Sequence, residues 1–364
     1  MFSAIIMIEV FPSLQRMAKF LRWMVIYAMG LTTVTIIGKT LLTEKPSEPI
    51  LLPEYIEPTQ QSDTVYIDSR INSTDYLDEI ITAAQMAEIR TELKIRRTGV
   101  KSVCQILGNE TSPIRAVVSN MIVDTKHGLS WCPIYKAGSS TWMVHFAVLG
   151  RTLSDLTVEL IERNVLQVNT LARQAFPNAD LKSTLEKLRH TKKFIVVRHP
   201  FERLLSAYRD KLENMESRKY YYNKYGRHIT QKYRQKTAAS NTKREPTFTE
   251  FLRFITKEKY FDEHWAPYNQ FCRPCALNYD YILKFETFKR DEDFLIQELE
   301  LNQYLYTKNN VKNVNPQGAT TTMISKKYFQ SVPKMLLEEV YRVYEKDFNL
   351  FDYSPDDYYL MTKI

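Results

Sequence analysis

Two short runs hold the residues with which this 364-residue chain could bind anionic groups. The first is Tyr135-Lys136-Ala137-Gly138-Ser139-Ser140-Thr141-Trp142. It follows a strand-like apolar run over 129–134 and leads into a helical pattern. A strand–loop–helix junction presents free backbone N–H groups and the positive end of a helix dipole to an anion. Gly138 lets the backbone come close to a ligand, the three hydroxyl residues add donors, and Lys136 adds a full positive charge. The run does not match the G-x-x-x-x-G-K-[ST] phosphate loop, and an ordinary helix N-cap would use the same serines.

The second run is Arg198-His199-Pro200-Phe201-Glu202-Arg203-Leu204-Leu205-Ser206-Ala207-Tyr208-Arg209-Asp210. Arg198 stands where a second apolar strand ends, and Pro200 suits a first helical turn. Arg203, Ser206 and Asp210 fall on one helical face. Arg198 and Ser206 together could clamp a second phosphate, since the guanidinium fork matches phosphate oxygens. The plain alternative is surface charge with an Arg203–Asp210 network.

The elements that must position these runs read as an α/β domain starting near residue 100. Strands are expected over 129–134, 194–197 and 281–285. Helices are expected over 140–150, 153–163, 181–189, 201–214, 248–257, 288–299 and 333–347. Short apolar strands alternating with longer helices predict a parallel sheet, whose ligands bind beyond the carboxyl ends of the strands. A further helix is expected over 75–97. Segment 218–244 carries nine Lys/Arg and no Asp or Glu, with tyrosines interleaved. It reads either as a solvated loop or as a groove for a polyanion.

The chain is 44% hydrophobic and carries a net charge of +8. That composition is globular, and the charge fits an anionic partner as well as a plain basic surface. Residues 23–38 are sixteen without a charge, preceded by Arg16, Lys19 and Arg22. They predict a signal anchor over 23–42 with residues 1–22 in the cytosol, a proline-rich stem over 43–100, and a lumenal domain over 101–364. A cleaved signal peptide is the rival. Sequons at Asn72 and Asn109 agree with a lumen, where nucleic acid is not an expected partner. Four cysteines fit two disulfides in an oxidising compartment. Cys272-Arg273-Pro274-Cys275 reads as a structural bridge, with a redox motif or half a zinc site as the alternatives, and Cys104–Cys132 would then be the second bridge.

Taken together, the loop K-A-G-S-S-T-W and the run V-R-H-P-F-E-R-L-L-S-A-Y-R-D-K resemble the donor-binding pair of Golgi carbohydrate sulfotransferases, in the group of the HNK-1 and chondroitin/dermatan 4-O-sulfotransferases. His264-Trp265-Ala266-Pro267, Cys272-Arg273-Pro274-Cys275, the run 279–287 and the tail 344–353 are similar to that group in the same order, over about 120–355. The resemblance implies a P-loop-like sulfotransferase fold with a central parallel sheet behind a signal-anchor helix and stem, in a single-pass type II Golgi membrane protein. The implied sulfuryl donor is 3′-phosphoadenosine-5′-phosphosulfate (PAPS). Its 5′-phosphosulfate would lie against Lys136, Ala137, Gly138, Ser139, Ser140, Thr141 and Trp142, and its 3′-phosphate against Arg198 and Ser206. Chondroitin-type relatives usually carry Pro before the lysine and an A-C-T-N-W loop. Here Tyr135 and Ala-Gly-Ser-Ser-Thr-Trp stand instead, with the lysine-to-tryptophan spacing kept.

Sulfuryl transfer resembles phosphoryl transfer, an in-line displacement in which the protein positions groups and stabilises charge. Lys136 is the expected stabiliser of the leaving oxygen. His264 is the expected general base, with His199, His145 and Glu286 behind it. No metal-ligand spacing stands out. The expected acceptor is an anionic glycan, with the 4-hydroxyl of N-acetylgalactosamine in chondroitin/dermatan-type chains first and a terminal glucuronate or another glycan as the alternative. A non-catalytic glycan-binding protein on the same fold is the competing reading.

Overall fold

The structure is a computed structural model that describes residues 81–108, 114–163, 165–177, 180–234, 243–305 and 321–362. The expected cytosolic tail, signal anchor and most of the stem lie outside the described residues, as do both sequon asparagines. Among the described residues no helix is long and apolar enough to cross a membrane.

One four-stranded sheet organises the domain: β1 (Ile122–Asp124), β2 (Leu129–Cys132), β3 (Lys192–Val197) and β4 (Tyr281–Lys284), side by side in that order. β2, β3 and β4 run parallel, as the pattern predicts, and β1 adds an antiparallel edge. Every residue of β2 and the last four of β3 are buried, as strands covered on both faces must be. β1 went unread because three residues are too few to show a period. Gly128 closes the β1–β2 turn at φ 71°, in the left-handed region.

Seven longer helices cover the sheet and extend it: α1 (Ala83–Leu107), α2 (Ser139–Leu149), α3 (Leu181–Arg189), α4 (Pro200–Lys211), α5 (Phe248–Glu258), α6 (Phe288–Glu298) and α7 (Lys334–Phe351). Trp131, Phe194, Val196 and Leu283 point to one face and pack with Trp142 and Phe146 of α2 and Leu295 of α6. Cys132, Ile195, Val197 and Ile282 point to the other, with Leu188 of α3 and Val100 of α1. A second core joins α4, α5 and α7 around Trp265. α1 begins at a capping box, Thr82 with Gln85, and buries Met86, Ile89 and Leu93 one turn apart. Arg96 ties it to the sheet by donating to the Ile282 carbonyl at 3.2 Å and to the fully buried Asp291 at 2.5 Å.

The disulfide pairing corrects the expectation. Cys104 of α1 bonds Cys275, and Cys132 at the end of β2 bonds Cys272, with Cα atoms 5.3 and 6.0 Å apart. The Cys272-Arg273-Pro274-Cys275 run turns through Arg273 in the left-handed region and starts a short helix at Pro274. Its two cysteines therefore reach two different elements instead of each other.

Parallel pairing puts the ends of β2 and β3 at the same edge. Cys132 lies beside Ile195, and Val197 beside Lys284. The 133–138 loop and Arg198 thus emerge together, at the edge where such sheets bind ligands.

Candidate active site

The loop after β2 is held by what it buries. Ala137 and Trp142 are fully buried, and the Trp142 ring lies 4.3 Å from Phe194 of β3. An aromatic pair of this kind adds about 0.5–1.5 kcal/mol beyond its burial. These two residues anchor the loop in the core. Lys136 and Gly138 take left-handed backbone, φ 72° and 76°. At Gly138 a Cβ would fall 2.6 Å from the Phe288 ring, so only glycine fits. Gly138 is also the N-cap of α2, and no side chain caps the helix. Ser139, Ser140 and Thr141 form the first turn instead of capping it, which sets aside the ordinary-cap reading. The N-cap glycine itself has no side chain to offer the backbone N–H groups of this end.

Arg198 is buried at the end of β3. It donates to the Lys136 carbonyl and to Glu202, each at 3.3 Å, and its guanidinium lies 4.6 Å from the centre of the Phe285 ring. Its main-chain N–H donates to the Tyr268 hydroxyl, which donates back to the Arg198 carbonyl. Ser206 is buried two turns into α4. The Arg203–Asp210 network of the plain alternative is not formed. Arg203 donates instead to the carbonyls of Tyr135, Ala266 and Glu263, at 2.9, 2.7 and 3.1 Å. It staples the Lys136 loop to the segment that carries His264.

Asp210 belongs to Lys136. The lysine Nζ donates to its carboxylate at 3.0 Å, and Lys211 and Arg218 lie 3.1 and 2.9 Å away. Burial pushes the Lys136 ammonium below its ordinary range, and Asp210 opposes that shift. Burial alone would raise the Asp210 carboxyl, but Lys136, Lys211 and Arg218 outweigh it and hold the carboxyl well below the usual range.

His264 is 5% exposed and faces the same cluster. Its Nδ1 meets the Asp262 carboxylate at 2.5 Å. Its ring lies 4.9 Å from Tyr135 and 5.5 Å, edge-on, from Tyr221. Burial lowers its pKa to about 4, with Lys211 and Lys136 acting in the same direction and Asp262 opposing. A neutral imidazole whose Nδ1–H is held by a carboxylate offers Nε2 as an acceptor. The other base candidates are engaged elsewhere. His199 Nε2 bonds the Ser354 carbonyl at 2.9 Å, His145 Nε2 meets Glu292 at 3.0 Å, and Glu286 accepts from the His199 N–H and the Tyr353 hydroxyl. Asp262, Glu263 and His264 also bring one ligand-type atom each within 4.8 Å of one another, with the His264 Nδ1 already taken by Asp262.

The basic, tyrosine-rich segment is not a solvated loop where it is described. It is helical over Lys219–Tyr221, Tyr222–Gly226 and Arg227–Tyr233. Tyr225 donates to Asp262 at 2.8 Å and packs on Trp265. Lys232 and Arg234 pair with Glu258 and Glu250 of α5. Where it is described, it borders the site through Arg218 and Tyr221, and through Lys224 and Tyr225, which reach Asp262. Sequence reasoning missed Asp262, two residues before His264, and the Asp210–Lys136 pair, which spans 74 residues.

The family model described as Sulfotransferase family matches residues 119–354. Over 242 residues the chain is 29% identical to carbohydrate sulfotransferase 8 of Homo sapiens, which covers 65% of this chain but only 56% of that protein, little more than half its length. It is 28% identical to carbohydrate sulfotransferase 14 of Danio rerio, over 73% of each chain. It is 27% identical to carbohydrate sulfotransferase 11 of Mus musculus, over 79% of this chain and 84% of that one. No solved structure shows a significant match.

Proposed function

The chain belongs to the sulfotransferase family, and on that premise we propose that it is a carbohydrate O-sulfotransferase that moves a sulfuryl group from PAPS to a sugar hydroxyl of a glycan. One observation carries the reading. Lys136, Asp210, Lys211, Tyr221 and His264 form an unbroken chain of contacts beside the loop that follows β2. An anion-binding cation and a candidate base therefore border one site.

The residues present fit the donor. The α2 N-terminus has no side-chain cap, Gly138 leaves the backbone bare, and two full cations, Lys136 and Arg198, flank it. Such a donor set suits phosphate oxygens. When bound, PAPS would supply the sulfuryl group, with adenosine 3′,5′-bisphosphate as the other product. Lys136 and the first-turn N–H groups of α2 take up charge on the leaving oxygen, while Arg198 and Ser206 hold the 3′-phosphate. His264 accepts the sugar hydroxyl proton at Nε2, with Asp262 fixing the ring and its tautomer.

The proposed acceptor is the 4-hydroxyl of N-acetylgalactosamine in a chondroitin/dermatan-type chain, which the cations Lys211 and Arg218 support. The proposed setting is the Golgi membrane, with residues 23–42 as a type II anchor. Two disulfides in the domain support an oxidising compartment. Incubating the full chain in detergent with ³⁵S-labelled PAPS and a panel of desulfated glycans tests the proposal. Label on chondroitin or dermatan supports the acceptor assigned here, and label on another glycan reassigns it. A folded protein that labels no glycan and binds no adenosine 3′,5′-bisphosphate contradicts the proposal.

A further inference from the structure

Asp210 lies in the last turn of α4 with its carboxylate nearly buried. Its Oδ2 accepts from Lys136 at 3.0 Å and lies 3.1 Å from the Lys211 ammonium. Its Oδ1 accepts from Arg218 Nη2 at 2.9 Å and Nε at 3.2 Å, and its main-chain oxygen accepts from the same Nε at 3.0 Å. One carboxylate thus holds three cations from three places: the loop after β2, the end of α4, and the lead into the tyrosine-rich segment. Three cations on one anion exceed what neutralising a buried charge requires, so net positive charge remains for other anions. The contacts continue outward. Lys211 Nζ lies 4.8 Å from the centre of the Tyr221 ring, and Tyr221 meets His264 edge-on.

We propose that Asp210 is a positioning residue shared by the donor and acceptor sides: it ties Lys136 to Lys211, Arg218 and Tyr221, and so sets the separation between the donor's phosphate and His264. The inference rests on the sulfotransferase reading above. Reaction rates depend steeply on such separations, and a misplacement of about 1 Å costs on the order of 10²-fold. An ion pair that serves only stability would behave otherwise. Its loss would reduce the folded fraction and leave turnover per folded molecule unchanged.

The test uses the full chain with Asp210→Asn, Arg218→Gln and the double variant, each measured for kcat with PAPS and a glycan acceptor and for the Kd of adenosine 3′,5′-bisphosphate. Asp210→Asn is expected to lower kcat about 10- to 100-fold. Kd stays the same or tightens, because a negative charge beside Lys136 is gone. The double variant is expected to lose little more than Asp210→Asn alone, as members of one network do. Unchanged kcat in folded Asp210→Asn overturns the inference, and so do losses that multiply to within about twofold. A Kd that weakens in step with kcat also overturns it, because Asp210 would then act through donor binding alone. If Asp210→Asn does not fold, Arg218→Gln, whose side chain is one-third exposed, gives the same kcat-against-Kd comparison. A wild type that neither binds the bisphosphate nor transfers sulfuryl contradicts the underlying reading instead, before any variant is compared.

Discussion

His264 is buried as a neutral ring, and its consequences are read in pH. The acid limb of kcat is expected near pH 4, well below the ordinary histidine range, because the base works only when unprotonated. His264→Asn is expected to lower kcat about 10²–10⁴-fold with bisphosphate binding retained. Stability carries the same signature. The folded pKa lies below the unfolded one, so from about pH 6.5 down to pH 4 the unfolded chain binds more protons and the protein weakens. His199, also lowered chiefly by burial, adds to that slope. Asp262 and Asp210 are shifted down, so their contribution is lost from the ordinary Asp range downward, for Asp210 equally in wild type and in the variant. Urea midpoints between pH 4.5 and 7 should therefore fall more steeply with acid for wild type than for His264→Asn. Equal slopes would contradict the buried neutral ring. The type and place of His264 were legible in the sequence, but its partner was not, because hydrogen bonding between Asp262 and His264 depends on how that turn folds.

At the scale of elements, the strand–loop–helix after β2 depends on Gly138. A Cβ there meets both the left-handed backbone and the Phe288 ring. Gly138→Ala is expected to cost about 1–3 kcal/mol and to weaken bisphosphate binding, which thermal melts and calorimetry would read. Unchanged binding and melting would mean that the loop does not need its shape. The three parallel strands were legible because buried parallel strands are short apolar runs between polar turns. α3 was legible to the residue, 181–189. The helical segment after Arg218 was not, although Tyr221, Tyr225, Ile229 and Tyr233 repeat at every fourth position. Dense charge masked that stripe, and its cations are matched by acids outside it: Arg218 by Asp210 of α4, Lys224 by Asp262, and Lys232 and Arg234 by Glu258 and Glu250 of α5.

At the scale of the whole molecule, two disulfides close loops of 171 and 140 residues and tie α1 and β2 to one turn. On the chain-entropy account each is worth roughly 5 kcal/mol. Replacing Cys104 and Cys275 together by Ser should lower the denaturant midpoint by a large fraction of the total stability, and an unchanged midpoint would contradict the pairing. The even cysteine count was visible in the sequence, but connectivity is not, because it follows from topology rather than spacing. The parallel run of the strands and the convergence of loops at one sheet edge were legible through the rule for parallel sheets, whereas the strand order came only from the structure.

That edge is where the account stands or falls. The most direct test is calorimetry of adenosine 3′,5′-bisphosphate with wild type, Lys136→Ala and Arg198→Ala, each shown to be folded. Saturable binding by wild type, weakened about tenfold or more in both variants as charge-assisted contacts are lost, is the predicted result. Binding that ignores both substitutions, or no binding by folded wild type, would contradict the assignment of this edge as the donor site.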